Sequence, residues 1–292
     1  MQVNVFRKGF NYSQDGPGNR LVYHLQGCNM RCAWCSNPEG MARKGTLLVD
    51  ADGLRKSACP HGAIADKVID RERCALCTTR ECLTINRNQS IRWSSSPCDV
   101  EALVSEAKRS VPLYFDGGGV TLSGGEVTVQ FAATKQLLQR LKEEGIHTTI
   151  ETNGAHRRLG ELFPLVDCLI VDFKHHNDAW LREATGVGIT LIQRNLRKAL
   201  AEHPNVLVRI PLVGGFNDAP ADAERFAAFF EPLNTSRVRF EFLSYHEYGK
   251  DKWAQCGLPY RMERMKSAFV SDATVAQFKS VFEAAGLHVI HT

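Results

Sequence analysis

Apolar and polar positions repeat along most of the chain with the two periods that distinguish strands from helices. Alternating or unbroken apolar runs predict strands at residues 21–26, 120–122, 147–151, 168–173, 206–211, 238–243 and 288–290. Spacings of three to four residues predict helices at 99–109, 129–143, 157–162, 191–201, 221–230 and 274–285. Repeated strand–helix units of this kind indicate an α/β fold with a parallel sheet and external helices. About six units favour an open, incomplete (βα)6 barrel, with an open doubly wound sheet as the alternative.

The composition narrows the class of protein further. The chain has 292 residues, of which 43% are hydrophobic and 23% charged, and this is typical of a globular protein with a sizeable core. The formal net charge is only +4 and no long block of like charges occurs, so we expect no nucleic-acid partner. No apolar run reaches the length of a membrane helix, and the start lacks a signal-peptide stretch. We therefore expect no membrane association and a cytoplasmic protein.

Ten cysteines stand out against this ordinary composition. Seven of them fall between Cys28 and Cys82. In a long chain without a secretion signal, such crowding indicates metal or redox chemistry rather than disulfides. The other three, Cys98, Cys168 and Cys256, are scattered along the chain, and we assign them no function.

The regular pattern breaks between about residue 46 and residue 93. This stretch holds four cysteines, many charges and little periodicity. We interpret residues 47–93 as a small inserted domain that a metal centre holds together, because the stretch has few apolar residues of its own. Residues 1–46 and 94–292 would then form one barrel domain.

Three cysteines in the pattern C-x3-C-x2-C follow the first predicted strand. Cys28, Cys32 and Cys35 lie within eight residues of loop and can converge on one centre. Thiolates are soft ligands that favour iron–sulfur clusters or zinc. Three ligands on a four-iron cluster leave one iron open, and an open position indicates chemistry rather than structure alone. A zinc ion with a distant fourth ligand is the alternative that the spacing leaves open.

This loop, with an aromatic residue before its last cysteine, resembles the radical S-adenosylmethionine (SAM) superfamily. The segments around it resemble, in the right order, the activating enzymes of glycyl radical enzymes, such as the pyruvate formate-lyase activases. These segments are DGPGNR (15–20), GGGVTLSGGE (117–126), ETNG (151–154), DFK (172–174), RIPL (209–212) and YHEYG (245–249). The resemblance covers almost the full length of the chain. One departure is Val127, where the family usually has a proline that fixes φ and removes an N–H group, so we expect a looser turn there.

The resemblance implies a cofactor, a reaction and two partners. Cys28, Cys32 and Cys35 would bind a 4Fe–4S cluster whose open iron takes SAM. The reduced cluster would split SAM to give a 5′-deoxyadenosyl radical, which removes a hydrogen atom from a glycine Cα of a partner glycyl radical enzyme. A flavodoxin or ferredoxin would supply the electron, and the loop around Asp15 would lie near the cluster and touch the partner's glycine loop. The alternatives are a radical SAM enzyme acting on a small molecule and a non-catalytic iron–sulfur or zinc electron-transfer protein.

The resemblance also implies which residues bind SAM. The set is Asn37, Ser123, Gly124, Gly125, Glu126, Glu151, Asp172, Lys174, Arg209 and His246. The two glycines would let the backbone approach the ligand closely, and Glu126 would meet the SAM ammonium. A simple tight turn between strand and helix is the alternative for the glycines.

Charged residues on the predicted strands complete this expectation. Asp172 and Lys174 share strand parity, so both point to one face of an otherwise apolar strand. With Glu151, Asp172 would bind a monovalent cation. Lys174 would act as a catalytic residue, and both Lys174 and His246 would contact SAM or the substrate backbone. Arg209 would point into the barrel toward the SAM carboxylate. The alternatives are a structural Asp172–Lys174 ion pair and an ordinary loop histidine at position 246.

Members of this family often carry two ferredoxin-type clusters in the inserted region, from C-x2-C-x2-C-x3-C-P units. Here the first unit keeps only Cys59 and Pro60, and the second has Cys74, Cys77 and Cys82 at a changed spacing. Because the fourth cysteine of such a unit binds the other cluster, we expect these four cysteines to hold one auxiliary 4Fe–4S cluster. A structural zinc ion is the alternative, and the role would be electron relay or folding of the segment.

Overall fold

The computed structural model describes residues 1–54, 59–65, 68–86, 88–265 and 267–291. In chain order the strands are β1 (Gln2–Tyr12), β2 (Asn19–Leu25), β3 (Leu47–Val49), β4 (Ile64–Ala65), β5 (Val68–Ile69), β6 (Ile91–Trp93), β7 (Ser96–Asp99), β8 (Gly119–Gly124), β9 (Thr148–Thr152), β10 (Cys168–Asp172), β11 (Val206–Leu212) and β12 (Val238–Ser244). The helices are α1 (Arg71–Leu76), α2 (Cys82–Ile85), α3 (Val100–Arg109), α4 (Phe131–Glu143), α5 (Asp178–Thr185), α6 (Ile189–Glu202), α7 (Pro220–Phe230), α8 (Lys250–Cys256) and α9 (Asp272–Ala284). Short 3-10 turns occupy Pro38–Gly40, Val111–Leu113, Val127–Gln130, Leu159–Leu165 and Arg261–Arg264.

The main sheet of the described chain joins eight strands in the order β12–β11–β10–β9–β8–β2–β1–β7. β2 and β8 to β12 are parallel neighbours, whereas β1 runs antiparallel to both β2 and β7. A doubly wound sheet reverses its strand order at a switch point, but here the six parallel strands follow one another in chain order. The prediction of an α/β fold with an incomplete (βα)6 barrel is therefore confirmed, and the doubly wound alternative is wrong.

Aromatic rings fill the space between the sheet and two outer helices. Phe240 on β12 contacts Phe230 on α7 and Phe282 on α9, with ring centroids 4.8 and 5.3 Å apart. Phe173, directly after β10, meets Phe226 on α7 edge to face at 5.4 Å. All five side chains are fully buried, and each such pair adds about 0.5–1.5 kcal/mol beyond the area it buries. This packing fixes the helices outside the barrel and leaves its concave face for polar groups.

The loop before β2 forms a floor at the amino-terminal end of the parallel strands. Arg20 is fully buried and donates to Thr121 Oγ1 at 2.7 Å. The Thr121 hydroxyl in turn donates to the carbonyl of Asp15 at 2.7 Å. Arg209, from the far side of the barrel, donates to the carbonyl of Gln14. The loop that contains Asp15 is thus tied to two strands and closes the barrel interior from below.

Most predicted elements of the barrel agree with the structure. The differences lie at element ends and in strands β1 and β7 and helices α5 and α8, which were not predicted. The strand expected at 288–290 is a single parallel bridge between Phe240 and Val289. The helix expected from residue 129 starts as a 3-10 turn and becomes α-helical only at Phe131, and the one expected at 157–162 is the 3-10 turn Leu159–Leu165. Helices α5 and α8 were not predicted, because each is too short to show a period.

Residues 47–93, which we call the Cys-rich segment, pack around a separate hydrophobic cluster. Its members are Leu47, Val49, Leu54, Ala63, Ile64, Cys74, Cys82 and Ile91, and all of them are buried. The strands β3 and β6 pair across the ends of the segment. Residues 55–58, 66, 67 and 87 of the predicted inserted domain lie outside the described residues. Across the described part of the chain, no helix is both long and apolar enough to span a membrane.

Candidate active site

A cavity of about 250 Å³ lies at the carboxyl ends of the parallel strands. These ends are where α/β folds bind their ligands. Apart from Arg209, every residue predicted to bind the first cluster or SAM lines it: Cys28, Cys32, Cys35, Asn37, Ser123, Gly124, Gly125, Glu126, Glu151, Asp172, Lys174 and His246. Lining residues that were not predicted are Met30, Trp34, Ser36, Thr152, Asn153, Pro211, Val213, Leu243, Ser244 and Tyr245.

The loop that carries the first three cysteines, residues 27–41, is called the cluster loop here. Backbone hydrogen bonds close its base. The Gly27 amide donates to the Gly40 carbonyl at 2.8 Å, and the Cys28 amide donates to the Met41 carbonyl at 3.0 Å. The two ends of the loop are therefore held together directly after β2, and its three cysteines project from a fixed base.

All three cysteines of the cluster loop are free thiols on the wall of the cavity. The Met30 amide donates to Cys28 Sγ at 3.3 Å, and the Asn37 amide donates to Cys35 Sγ at 3.4 Å. Hydrogen bonds to sulfur of this kind surround the thiolates of iron–sulfur clusters and tune them. Three soft donors on one wall, two of them with amide partners, fit a 4Fe–4S cluster that has three protein ligands.

Burial dominates the protonation of these thiols. It raises the pKa of Cys28 to about 12 and also raises the pKa values of Cys32 and Cys35. Neighbouring thiols add to the shift at Cys28 and Cys35. The ammonium of Lys174 opposes the shift at all three, because a positive charge favours a thiolate.

Two glycines hold the end of β8 against the cluster loop. Gly124 has a φ of +114°, and a Cβ at Gly125 would lie 2.3 Å from the Gly27 carbonyl oxygen. The Gly125 amide donates to the Leu25 carbonyl at 3.0 Å, and the Glu126 amide donates to the Gly27 carbonyl at 2.8 Å. The glycine pair thus makes a tight turn between strand and helix, which was the alternative expected for these glycines. The turn lies at the edge of the cavity.

Glu126 lines the cavity, but the protein itself engages most of its carboxylate. Oε1 accepts hydrogen bonds from the Thr128 amide, the Thr128 hydroxyl and the Thr152 hydroxyl at 3.0, 2.6 and 2.8 Å. Oε2 accepts from the Asn153 amide at 2.7 Å. Glu126 therefore caps the 3-10 turn that begins at Val127, and this cap holds the turn although the usual proline is missing.

Asp172 and Lys174 form an ion pair inside the cavity. Lys174 Nζ lies 2.6 Å from Asp172 Oδ2, and only 11% of the lysine side chain is exposed. Burial disfavours the charge on Lys174, but Asp172 and the nearby Cys32 thiol raise its pKa above the ordinary value. The prediction that both side chains share one face is confirmed. The Asp172–Lys174 ion pair, which was the alternative expectation for these residues, is also present.

Arg209 points into the barrel as expected, but it lies behind the cavity wall. Its guanidinium donates to Glu151 at 2.6 Å and to Glu241 at 2.7 Å, so it links β9 to β12 across the concave face. The Ser123 hydroxyl donates to the other oxygen of Glu151. Burial and the charge of Asp15 raise the pKa of Glu151 to about 7, although Arg209 and Ser123 lower it. The expectation that Arg209 reaches SAM itself is corrected, because Glu151 stands between it and the cavity.

His246 and Asn37 reach the cavity from two further loops. The ring of His246 stacks on Tyr248 with centroids 4.3 Å apart, and its Nδ1 accepts from the Tyr248 amide at 3.4 Å. Burial lowers the pKa of His246, so the ring is neutral at ordinary pH. The side-chain oxygen of Asn37 accepts from Lys252 Nζ at 2.8 Å. Both predicted residues are therefore at the cavity, and each also has a partner within the protein.

Sequence reasoning missed Asn153, although the segment that contains it was recognised. Asn153 directly follows β9, and its side-chain amide donates to Asn29 Oδ1 at 2.7 Å and approaches Cys28 Sγ at 4.0 Å. It ties the cluster loop to the neighbouring strand end. The signal that could have found it is the position of a polar side chain at the carboxyl end of a parallel strand.

The four cysteines of the Cys-rich segment also lie near one another. Cys74 and Cys82 are buried, and Cys59 and Cys77 are partly exposed. Burial raises the pKa of Cys82, and the thiols of the other three raise it further. Cys59, Cys74 and Cys77 thus each lie near Cys82, and the four thiols are donors of the soft kind that iron–sulfur clusters and zinc prefer.

A cluster outside the cavity combines two histidines and an aspartate. His175, His176 and Asp222 offer ligand atoms within 4.8 Å of one another. His176 Nε2 lies 2.7 Å from Asp222 Oδ1, whereas His175 uses one ring nitrogen on the Asn177 amide and the other on the Phe216 carbonyl. Because both nitrogens of His175 are engaged, the cluster links α7 to the loop after β10 and is not a metal site.

Comparisons with known proteins agree with this geometry. The pattern of the radical SAM superfamily matches residues 22–227. The isethionate sulfite-lyase activating enzyme of Nitratidesulfovibrio vulgaris is 36% identical over 257 residues, which cover 82% of each chain. The (2S)-3-sulfopropanediol sulfolyase activating enzyme of Bilophila wadsworthia is 32% identical over 270 residues, covering 87% of this chain and 88% of that one.

A solved structure shows the same fold. A domain of the pyruvate-formate lyase-activating enzyme from Bacteroides vulgatus superposes with a TM-score of 0.50 at 24% identity, covering 60% of this chain and 98% of that one. The chain therefore belongs to the radical SAM superfamily and, within it, to the activating enzymes of glycyl radical enzymes. As a radical SAM oxidoreductase it uses a 4Fe–4S cluster and SAM.

Proposed function

We propose that this chain activates one partner glycyl radical enzyme by removing a hydrogen atom from a glycine Cα. The observation that carries the proposal is the placement of Cys28, Cys32 and Cys35 on one wall of a cavity at the carboxyl ends of the barrel strands. The names of two relatives, activating enzymes of isethionate sulfite-lyase and of (2S)-3-sulfopropanediol sulfolyase, favour a protein partner over a small molecule. Glycine suits the reaction because it has no side chain to block approach.

In this proposal Cys28, Cys32 and Cys35 hold the cluster through their thiolates. When bound and reduced, the cluster supplies one electron to the sulfonium of SAM, and a flavodoxin or ferredoxin renews that electron. The protein's own groups bind and orient SAM and exclude water from the cavity. Lys174 keeps a positive charge beside the thiolates, and the apolar side chain of Val213 lines the wall.

The remaining polar residues of the cavity are assigned to SAM. Glu126 has one oxygen, Oε2, with a single protein donor, which leaves it room to accept from the SAM ammonium. Asp172 keeps 35% of its side chain exposed beside Glu151, and we assign these two carboxylates to a monovalent cation. His246 and the backbone at Gly124 and Gly125 are assigned to the rest of SAM.

The floor loop is assigned to the partner. Asp15 belongs to the floor of the barrel, where its carbonyl accepts from the Thr121 hydroxyl on β8 at 2.7 Å, so it lies under the cavity. Its carboxylate accepts from the Asn11 side chain, which fixes its direction. We assign Asp15 to contact the partner's glycine loop.

We assign Cys59, Cys74, Cys77 and Cys82 to one auxiliary 4Fe–4S cluster in an inserted domain of residues 47–93. The influence of the other three thiols on Cys82 and the separate hydrophobic cluster of this segment support the assignment. A site closed by four cysteines has no open position for SAM. Its role in electron transfer or folding is therefore distinct from the reaction in the barrel.

The direct test is anaerobic incubation of the reconstituted chain with SAM, a reductant and a candidate glycyl radical enzyme. We expect the electron paramagnetic resonance signal of a glycyl radical on that partner. The same mixture with the Cys32→Ala variant should give no signal. Formation of 5′-deoxyadenosine without any protein radical, together with turnover of an added small molecule, would show that the proposed partner class is wrong.

A further inference from the structure

Helix α8 and the turn before it contact the C-terminal half of the cluster loop. The indole N–H of the buried Trp253 donates to the Cys35 carbonyl at 2.9 Å, and Lys252 Nζ donates to the Ser36 carbonyl at 2.9 Å. Gly249 packs so closely that a Cβ there would lie 2.7 Å from Ser36 Cα. One of the three cluster cysteines therefore depends on α8 for its backbone position.

An ion pair between Lys252 and Glu39 further holds α8 against the cluster loop. Lys252 Nζ lies 3.0 Å from Glu39 Oε1, and only 9% of the Glu39 side chain is exposed. The other carboxylate oxygen of Glu39 is buried and has no hydrogen-bond partner among the described residues. A buried carboxylate of this kind depends on its one cation, so α8 cannot move away from the cluster loop without a large cost.

The opposite side of α8 is anchored to the Cys-rich segment. Arg71 donates to the Gln255 carbonyl in the last turn of α8 at 2.8 Å, and to the Leu47 carbonyl on β3 at 3.1 Å. The last carbonyls of a helix have no partner within it, so a charged donor at this place fixes the helix end. Arg71 is the first residue of α1, the short helix that also carries Cys74.

We propose that Arg71 is a positioning residue for the cluster of the barrel. Through Gln255 it fixes α8, and α8 fixes the cluster loop at Cys35. The inference rests on the proposed cluster at Cys28, Cys32 and Cys35. It gives the Cys-rich segment a mechanical role in shaping the first site, separate from any transfer of electrons.

Groups that hold a ligand's own backbone or side chain tune a metal centre without touching it, and their removal typically costs about tenfold or more in affinity or activity. The test uses Arg71→Gln, which removes the charged donors, and Trp253→Phe, which removes only the indole N–H. Arg73→Gln is the matched control, because Arg73 lies on the same helix but donates to the Gly62 carbonyl within the Cys-rich segment at 3.1 Å.

The readouts are iron content, the electron paramagnetic resonance spectrum of the reduced protein with SAM, and the dissociation constant of SAM. Arg71→Gln and Trp253→Phe should each keep full iron, change the spectrum in the same way and weaken SAM binding by about tenfold. Because both act along one path, the double variant should be no worse than either single one. Arg73→Gln should match the unmodified protein.

A spectrum and SAM affinity unchanged by Arg71→Gln would overturn the inference, as would an equal effect of Arg73→Gln. If Arg71→Gln loses iron, Trp253→Phe decides alone, because it leaves the Cys-rich segment untouched. An unchanged spectrum in Trp253→Phe would then overturn the inference, and an altered one would support it. None of these readouts involves the partner enzyme, so failure here and failure of the proposed function are distinguishable.

Discussion

The two groups of cysteines differ in what holds them in place. In the cluster loop, the barrel supplies the frame: amides bond across the base of the loop, Gly125 packs against it from β8, and Trp253 binds the Cys35 carbonyl from α8. In the Cys-rich segment, Cys74 and Cys82 are themselves part of the small hydrophobic cluster. The first site is thus built on an existing fold, whereas we expect the proposed second site and the fold around it to depend on each other.

The elements of the Cys-rich segment explain this dependence. Its strands β4 and β5 have two residues each, and its helices α1 and α2 have six and four. Helices and hairpins of such length are not stable alone in water. The auxiliary cluster that we propose on the four thiols would supply the missing free energy, as metals do in small metal-dependent folds.

The largest expected effect comes from breaking the site built on the barrel. Cys32→Ala removes one of three ligands, so reductive cleavage of SAM should fall to background. The protein should stay folded, because Cys32 is one small member of a large hydrophobic core, and about four irons should remain in the proposed auxiliary site. Measurement of 5′-deoxyadenosine and of iron content checks both points.

The control for this variant is Cys98→Ala. Cys98 lies on β7, outside both groups of cysteines, so SAM cleavage and iron content should not change. Appreciable SAM cleavage by Cys32→Ala would show that the cluster loop does not work as described.

Removing a ligand from the other group should unfold its surroundings instead. Cys82→Ala takes a buried side chain and a metal ligand out of the Cys-rich segment, so about four irons should be lost and protease should cut within residues 47–93. The barrel should resist the protease and keep its own cluster. Metal analysis with limited proteolysis checks both points. If the Cys-rich segment stayed intact without metal, its fold would not depend on the proposed cluster.

The stability of the barrel should depend on Arg209. Arg209→Met removes the guanidinium that the buried Glu151 and Glu241 share, and breaking such a buried group typically costs about 3–5 kcal/mol. Denaturation by urea should show a loss of that size in the free energy of unfolding. The comparable surface variant Arg140→Met should cost under about 1 kcal/mol, since its carboxylate partners are exposed. Similar losses for both would mean that the interior pair does not support the frame.

The smallest effect is expected at Val127. Val127→Pro restores the residue usual in the family at the first position of a 3-10 turn, where proline fits. Because Glu126 already caps this turn, stability should rise by no more than about 1 kcal/mol and SAM cleavage should not change. Thermal unfolding and the cleavage assay check this, and a large gain would show that the cap does not hold the turn.

Local patterns were enough to predict part of this molecule. The spacing of Cys28, Cys32 and Cys35 and the parity of Asp172 and Lys174 are properties of a few neighbouring residues, so they were visible in the sequence. The order of strands followed from the alternation of strand and helix. These predictions needed no knowledge of which distant segments touch.

The contacts that were missed join distant parts of the chain. The indole of Trp253 and the carbonyl of Cys35 are 218 positions apart, and Arg71 meets α8 over a similar distance. The place of Arg209 behind Glu151 depends on the curvature that brings β9 and β12 toward β11. Neither periodicity nor a short motif contains such information, because it arises only when the barrel closes around its floor.

The proposed reaction requires that three thiols of the cluster loop hold a cluster with one iron open to SAM. The most direct measurement is electron–nuclear double resonance of the reduced protein with SAM labelled with nitrogen-15 at its amino group. We expect a nitrogen coupling that shows direct binding to the cluster, and its loss in Cys32→Ala. A cluster or ion without that coupling, and with a fourth ligand from the protein, would show that no position is open to SAM.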